Sequence, residues 1–344
     1  MTAADPSLLI VAVAVIASLS MAWALGASSN SPPFAPAVGA NAVPTMRAAF
    51  FVGTFAALGA IAQGGSISET VGNDLINGVS ITPLAATAGL LTAAAFIAVG
   101  VRTGYPIPAA FAVTDAVIGA GLSLWGNPAI GTYQRLAAFW VAVPFVSVSI
   151  AYGTATLLRR EDMPEELGVP LHAGIVGFVL ANVQLAVFPA ASGDTLAEFV
   201  AALFGLEITL FDSYTLLALV ASLAFGTLVF YAMYRSMLRS VKGGIRQFLI
   251  GLGAVVAFSS GGSQVGLATG PLEPLFDSLG TPGFLLLLLG SIGILLGAWM
   301  GSPRLLQAVS REYFPTGSPA VDRRLGTGLY HRAGRDRAGH PDLL

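Results

Sequence analysis

The sequence predicts an all-helical integral membrane protein: a polytopic bundle of about ten membrane segments, built from inverted repeats with broken or re-entrant helices. Three observations carry this prediction. The 344 residues are 55% hydrophobic and only 10% charged, with a mean hydropathy of +0.78, whereas soluble domains carry about 25% charged residues. Apolar runs able to cross ~30 Å of hydrocarbon recur along most of the chain. Two short polar segments rich in Gly and Pro interrupt those runs, one near each end of the membrane part.

The runs fall at 7–25, 46–64, 81–100, 106–124, 134–157, 172–190, 195–211, 213–233, 247–260 and 281–300. The first begins almost at Met1 without a preceding basic stretch, so it reads as a retained helix rather than a cleaved signal. The stretch 195–211 contains Glu198 and Glu207 and stays open between an ordinary span and an interfacial or re-entrant segment. The 41 Gly and 20 Pro suit closely packed and broken helices, because small residues let transmembrane backbones approach. Basic residues set orientation. Arg235, Arg239, Lys242 and Arg246 stand together without an acid, which makes that loop cytoplasmic; Arg159 and Arg160 mark a weaker second cytoplasmic loop. The expected organisation is a first membrane repeat over 1–158, connecting helices and loops over 159–246, a second repeat over 247–301 and a polar tail over 302–344. Seven of the 16 basic residues fall in that tail, which reads as disordered at the cytoplasmic face. The change of character at about Phe314 reads as a frame change or truncation in the gene, leaving an incomplete second repeat and an inactive chain. An apolar open frame beyond codon 314 would support that expectation. The bundle as a whole reads as a multi-pass protein of the plasma membrane.

Several chemistries are excluded. With no Cys, disulfides and thiolate-held metals or cofactors drop out. His172, His331 and His340 are too scattered for a histidine metal cluster, and the sequence names no metal ligand set. Lys242, the sole Lys, lacks the glycine spacing of a phosphate loop, so the chain is not expected to hydrolyse ATP. No HExxH, GxSxG or clustered acid and base is present, so the chain reads as no enzyme, and nothing marks a nucleic-acid partner.

The two interruptions are Gly26-Ala27-Ser28-Ser29-Asn30-Ser31-Pro32-Pro33-Phe34-Ala35-Pro36 and Gly261-Gly262-Ser263-Gln264-Val265-Gly266-Leu267-Ala268-Thr269-Gly270-Pro271. Laid side by side they share Gly26 with Gly261, Ser28 with Ser263 and Pro36 with Pro271, with small residues at Ala35 and Gly270. Unwound backbone at membrane depth survives only where it lines a protected cavity, and paired broken segments point to the binding site of a secondary transporter. Amides at a half-helix N-terminus favour an anion, and Ser28, Ser29, Ser263 and Gln264 add hydrogen-bond donors without repelling charge. Pro32, Pro33 and Pro36 keep the first helix from closing. Gly26, Gly39, Gly261 and Gly270 permit close backbone approach. A proline-rich turn between two spans also accommodates the first segment. It suits the second poorly, because the apolar run before Ser259–Gly266 is too short to cross alone.

Ionisable groups at membrane depth are costly and usually functional. Asp115, in the middle of 106–124, is the sharpest case: a coupling site for a cation or proton, or a residue of a polar loop. A solvated loop explains most of the polar run after the second span, with Ser68 and Thr70 as the exceptions; Ser68, Glu69 and Thr70 stand beside Asp115 as coupling candidates. Asn182 and Gln184 lie inside 172–190, where interhelical hydrogen bonds account for them.

The stretch Gly261 to Leu272 resembles, without a gap, the Gly-Ala-Asn-Asp-Val-Ala-Asn-Ala-Ile-Gly-Pro-Leu signature of the inorganic phosphate transporter (PiT) family. Gly26 to Gly39 is similar to the other copy of that signature. Ser68-Glu69-Thr70-Val71 resembles its Ser-x-Thr-Ile element, and Pro106-Ile107-Pro108 with Gly119-Ala120-Gly121 resembles its Pro-Val-Ser-Thr-Thr-His segment and following Gly-x-Gly. The resemblance runs over most of 8–315 and implies a proton- or sodium-coupled phosphate symporter, with sulfate carried by some relatives. It also shows departures. The family's signature Asp falls on Ser29 and Gln264, its first Asn on Ser28 and Ser263, its second on Pro32 and Leu267, and its Ser-Thr-Thr-His on Pro108-Ala109-Ala110-Phe111. Without those carboxylates, Asp115 or Glu69 becomes the candidate for charge balance. The expected partners are a small inorganic anion, phosphate before sulfate or another oxyanion, and the lipid bilayer, with a homodimer open. No cofactor is expected beyond Na+ or H+ as coupling ion, and a passive anion channel is the alternative mechanism.

Overall fold

A computed structural model describes residues 8–79, 81–103, 108–158, 163–185, 195–204, 209–211 and 214–313. The chain forms α1 (Leu8–Ser28), a 3-10 turn (Pro32–Phe34), α2 (Ala35–Gly39), α3 (Thr45–Asn73), α4 (Pro83–Thr103), α5 (Ala109–Ser123) and α6 (Ile130–Leu158). It continues through α7 (Glu165–Ala181), α8 (Leu196–Phe204), α9 (Leu216–Arg239), α10 (Val241–Thr269), a 3-10 turn (Gly270–Leu272), α11 (Glu273–Ser278) and α12 (Gly283–Tyr313). Two small antiparallel pairs, β1 (Ile76–Asn77) with β2 (Asn127–Pro128) and β3 (Thr209–Phe211) with β4 (Tyr214–Thr215), close loops.

Among the described residues, six helical stretches are long and apolar enough to cross a membrane, and 83–99 and 109–123 form shorter apolar helices. The described part of the run 195–211 holds no helix long enough to cross. Its helix α8 has nine residues, about 14 Å at 1.5 Å per residue, and β3 and β4 then turn the chain back. Caps set the joint between α9 and α10: Arg239 ends α9, where a cation suits the helix dipole, and the Ser240 hydroxyl accepts from the Gly243 N–H at 3.1 Å.

The core is a pair of reciprocal crossings. A Cβ on Gly26 of α1 would overlap the backbone of Ile294 on α12, and one on Gly297 of α12 would overlap that of Trp23. On the other side, a Cβ on Gly261 of α10 would overlap the backbone of Ala56 on α3, and one on Gly59 of α3 that of Phe258. Glycine is required at these four points because two helix backbones touch there. The pairs exchange as a two-fold axis demands: α1 stands for α10, and α3 for α12.

The correspondence carries a slip. Trp23 and Gly26 match Phe258 and Gly261 at a separation of 235 residues, whereas Ala56 and Gly59 match Ile294 and Gly297 at 238. The three extra residues lie in α10, which stays helical through Gly261–Thr269, so the expectation of a broken helix there is corrected. Packing between α3 and α12 holds this glycine-rich stretch helical against the roughly 1 kcal/mol each Gly costs. The chain breaks instead at the turn Gly270–Leu272, which pairs Pro33 with Pro271 rather than Pro36 with Pro271. The first break lies where expected, between Ser28 and Pro32. Past residue 301, α12 runs on to Tyr313, with Ser302 and Leu306 fully buried. The helix α10 that carries Gly261 starts at Val241.

Candidate functional site

A cavity of about 1050 Å³ opens between α10, the C-terminal half of α7, Gln63 of α3 and the N-terminus of α8. Its origin follows from the repeat. On α1 the stripe Ala14, Ala17, Met21 and Leu25 is fully buried, and α1 packs on α4 as well as α12. The same stripe on α10 is Leu249, Leu252, Val256 and Ser260. Of these, Leu252, Val256 and Ser260 line the cavity, and Val256 is 43% exposed.

The wall is apolar toward α7, through Ile175, Val176 and Val179, and polar toward the crossing, through Ser259, Ser260, Ser263 and Gln63. The mouth beside α8 carries Asn182, Gln184, Thr195 and Glu198. Gln63 Nε2 donates to the Gln184 carbonyl at 3.4 Å, and Gln184 forms a β-bridge with Thr195. Thr195 and Glu198 form a capping box: the Thr195 N–H donates to Glu198 Oε2, and the Glu198 N–H to Thr195 Oγ1, each at 3.2 Å. The expected interhelical bond is made by Asn182, whose Nδ2 donates to the Phe178 carbonyl and to Ser222 Oγ, both at 2.9 Å.

The predicted site residues separate into two groups. Ser263 lines the cavity, with its hydroxyl bonded to the Ser260 carbonyl at 2.9 Å. Gln264, next on the helix, has a buried Oε1 without a hydrogen-bond partner. Ser28 and Ser29 are half-buried at the end of α1 and outside the cavity wall; Ser28 Oγ donates back to the Ala24 carbonyl at 2.7 Å. What joins the groups is Asn30, a residue the sequence reading passed over. Asn30 is fully buried, its Oδ1 accepts from Ser260 Oγ at 2.6 Å, and its Nδ2 is without a partner. Ser31 Oγ donates to Ser302 Oγ at 2.7 Å and ties the same break to α12. A polar residue inside a Gly/Pro-bearing break, facing the serine pair before Gly261, was the available signal.

The remaining expected residues lie elsewhere in the fold. The broken segments offer no helix N-terminus to an anion: α2 and α11 have five and six residues, and Pro32 and Pro33 contribute no N–H. Gly26 and Gly261 serve the helix crossings. A Cβ on Gly270 would come within 2.7 Å of the Ser68 carbonyl oxygen, so this glycine packs against α3. Gly39 ends α2, half-buried. Asp115 stands on the exposed side of α5, opposite the buried Val113 and Val117, and is not part of the cavity wall. Ser68 is buried, with its hydroxyl 3.4 Å from Thr269 Oγ1 across the repeats. Glu69 and Thr70 belong to α3, and their side chains lie outside the described ones.

Chemically, the cavity presents hydroxyls and amides with one carboxylate, Glu198, and no Lys or Arg among its described lining residues. Such donors hold an oxyanion by hydrogen bonds while apolar surface limits competing water. No group of three or more His, Cys, Asp or Glu positioned for a metal ion occurs among the described residues.

The chain is similar to known membrane transport proteins. The profile of the phosphate transporter family matches residues 25–322. A putative phosphate permease of Helicobacter pylori (strain J99) is 26% identical over 327 residues, covering 89% of this chain and 60% of that protein. The chain thus spans about three-fifths of the length of that curated relative. The sulfate permease CysP of Bacillus subtilis is 27% identical over 155 residues, 44% of this chain and 42% of that one. A solved structure titled the sodium-dependent phosphate transporter superposes with a TM-score of 0.69 at 23% identity, over 88% of this chain and 78% of that chain, and shows the shared fold.

Proposed function

This chain belongs to the phosphate transporter family, and from that premise we propose that it is a secondary transporter carrying inorganic phosphate across the plasma membrane, coupled to a cation. The observation that carries the reading is the cavity beside the crossing of α3 and α10, whose polar wall holds Ser259, Ser260, Ser263 and Gln63, with Glu198 the one carboxylate among its described lining residues. Ser263 and Ser260 hold the anion once their hydroxyls turn away from the Ser260 carbonyl and Asn30 Oδ1 that they bond here, with Gln264, Ser28 and Ser29 reached as the repeats move against one another. Either Na+ or H+ serves as coupling ion, and phosphate is the favoured cargo. Sulfate is the second reading, supported by the similarity to the sulfate permease over 44% of the chain.

The test is uptake of labelled phosphate into proteoliposomes, with and without an imposed cation gradient, in the presence of excess sulfate or arsenate. Saturable, gradient-driven uptake blocked by arsenate but not by sulfate is the expected result. Inhibition by sulfate alone would move the assignment to sulfate, and flux that neither saturates nor runs uphill would make the protein a channel. Ser263→Ala should raise KM about fivefold, the loss of one hydrogen bond of about 1 kcal/mol.

A further inference from the structure

We propose that a second cavity, at the joint between α9 and α10, holds the phosphate group of an anionic phospholipid between Arg235 and Arg239. The proposal needs only that the chain crosses a membrane and does not depend on its cargo. The cavity has a volume of about 500 Å³, and its lining includes Arg235, Arg239, Ser240, Gly243 and Gln247. Arg235 and Arg239 stand four residues apart at the end of α9, so both guanidinium groups belong to one face of that helix, where like charges repel. The sequence holds no Asp or Glu between Asp212 and Glu273. Glu165 and Glu166, at the start of the helix α7 that packs on α9, are outside the cavity wall and pair with neither arginine. The N-terminus of α10, a helix of 29 residues, brings the positive end of its dipole to the same joint. Two cations and a helix start are thus gathered in a concave site without a counter-ion from the described chain.

The frame around these cations is already built. Ser236 Oγ donates to Gln247 Oε1 across the joint, and the Ser240 hydroxyl caps α10. A Cβ on Gly244 would come within 2.3 Å of Met237 Sδ, so the two helices are in close contact beside the cavity. Arg235 is held in place: its Nη1 donates to Tyr231 Oη at 3.1 Å, and its Cζ lies 5.7 Å from the Tyr231 ring centroid. One of five N–H donors is used in this way, and the others remain for phosphate oxygens, which a guanidinium matches in pairs. The surface leading away from the cavity identifies the phosphate as that of a lipid. Val220, Leu228 and Tyr231 share the face of α9 that carries Arg235, and each is more than half exposed. From Val220 to Arg235 this stripe runs about 22 Å, over half of the ~30 Å hydrocarbon thickness, so acyl chains below a headgroup in the cavity lie along it. The basic residues place this end of α9 at the cytoplasmic face, where anionic headgroups attract Lys and Arg.

The experiment titrates the full chain in detergent micelles with phosphatidylglycerol or phosphatidylcholine and counts retained lipid by native mass spectrometry. Wild type should retain phosphatidylglycerol in preference to phosphatidylcholine, whose phosphate carries its own cation. Arg235→Gln with Arg239→Gln should weaken phosphatidylglycerol binding about thirtyfold, about fivefold for each arginine. Lys242→Gln with Arg246→Gln removes the same charge from exposed positions outside the cavity wall and should weaken it far less. Equal losses in the two double variants would mean diffuse attraction to a basic surface, and the proposal would fall. Equal retention of both lipids by the wild type would overturn it without any variant. Glycerol 3-phosphate, a headgroup fragment without acyl chains, should not displace the lipid at matched concentration. Displacement by it, lost in the Arg235→Gln, Arg239→Gln variant, would make the cavity a site for free phosphate esters and overturn the lipid assignment. None of these measurements involves uptake, so their failure leaves the transport reading where it stands.

Discussion

The two crossings are matched in their glycines and unmatched in their outer faces. Gly26 and Gly297 bring α1 onto α12 as Gly261 and Gly59 bring α10 onto α3. Yet the flank of α1 is sealed, whereas the equivalent flank of α10 opens onto the cavity. Constraint sits where backbones touch, and the repeats diverge one helix face away. In this fold, symmetry belongs to the scaffold and asymmetry to the site.

The strongest test of that contrast is to enlarge the glycines. Gly26→Leu and Gly261→Leu each force a side chain into a carbonyl of the facing helix, which should cost about 3 kcal/mol or more. Thermal unfolding in detergent should show comparable falls for both; a fall in one alone would break the reciprocity. Next, Met21→Ala should cost about 2–5 kcal/mol, as for a fully buried side chain, while Val256→Ala should stay below about 1 kcal/mol because Val256 is already exposed. Equal costs would mean that both flanks are sealed. A double-mutant cycle on Asn30→Ala and Ser260→Ala should return about 1 kcal/mol of coupling, measured by the same unfolding, and additivity would remove the link between the first break and α10. Smallest of all, Asp115→Asn should shift stability by no more than about 0.5 kcal/mol and leave the cation dependence of uptake as it was. Loss of that dependence would move the coupling site to α5.

Much of the scaffold was legible in the chain. The shared Gly26 and Gly261 pointed to the repeat because glycine at corresponding depths is a packing signal as well as a breaking one. The breaking role alone puts an interruption at Gly261, nine positions before the turn at Gly270. Gly261–Thr269 has the composition of a turn, yet α3 and α12 pack against it closely enough to keep it helical. The site was less legible. Ser263 reached the cavity by helical position, but Asn30 acquires its meaning from Ser260, 230 positions away. Asp115 is visible in the chain as a charge in an apolar run, but its exposure is decided by which side of α5 faces the core. Glu198 carried a readable cap, Thr195 three residues before it, but no local signal that a cavity would form there.

The three extra residues in α10 also have a mechanical consequence. Six positions separate Gly26 from the turn at Pro32, and nine separate Gly261 from the turn at Gly270. At 1.5 Å per residue the added length is about 4.5 Å. If each crossing acts as a fulcrum, the two breaks swing on arms of unequal length, so one rotation carries the second break further than the first. Under the proposed transport motion, equal pivots with unequal levers would make the two ends of the swing differ, so that they need not be equally easy to reach.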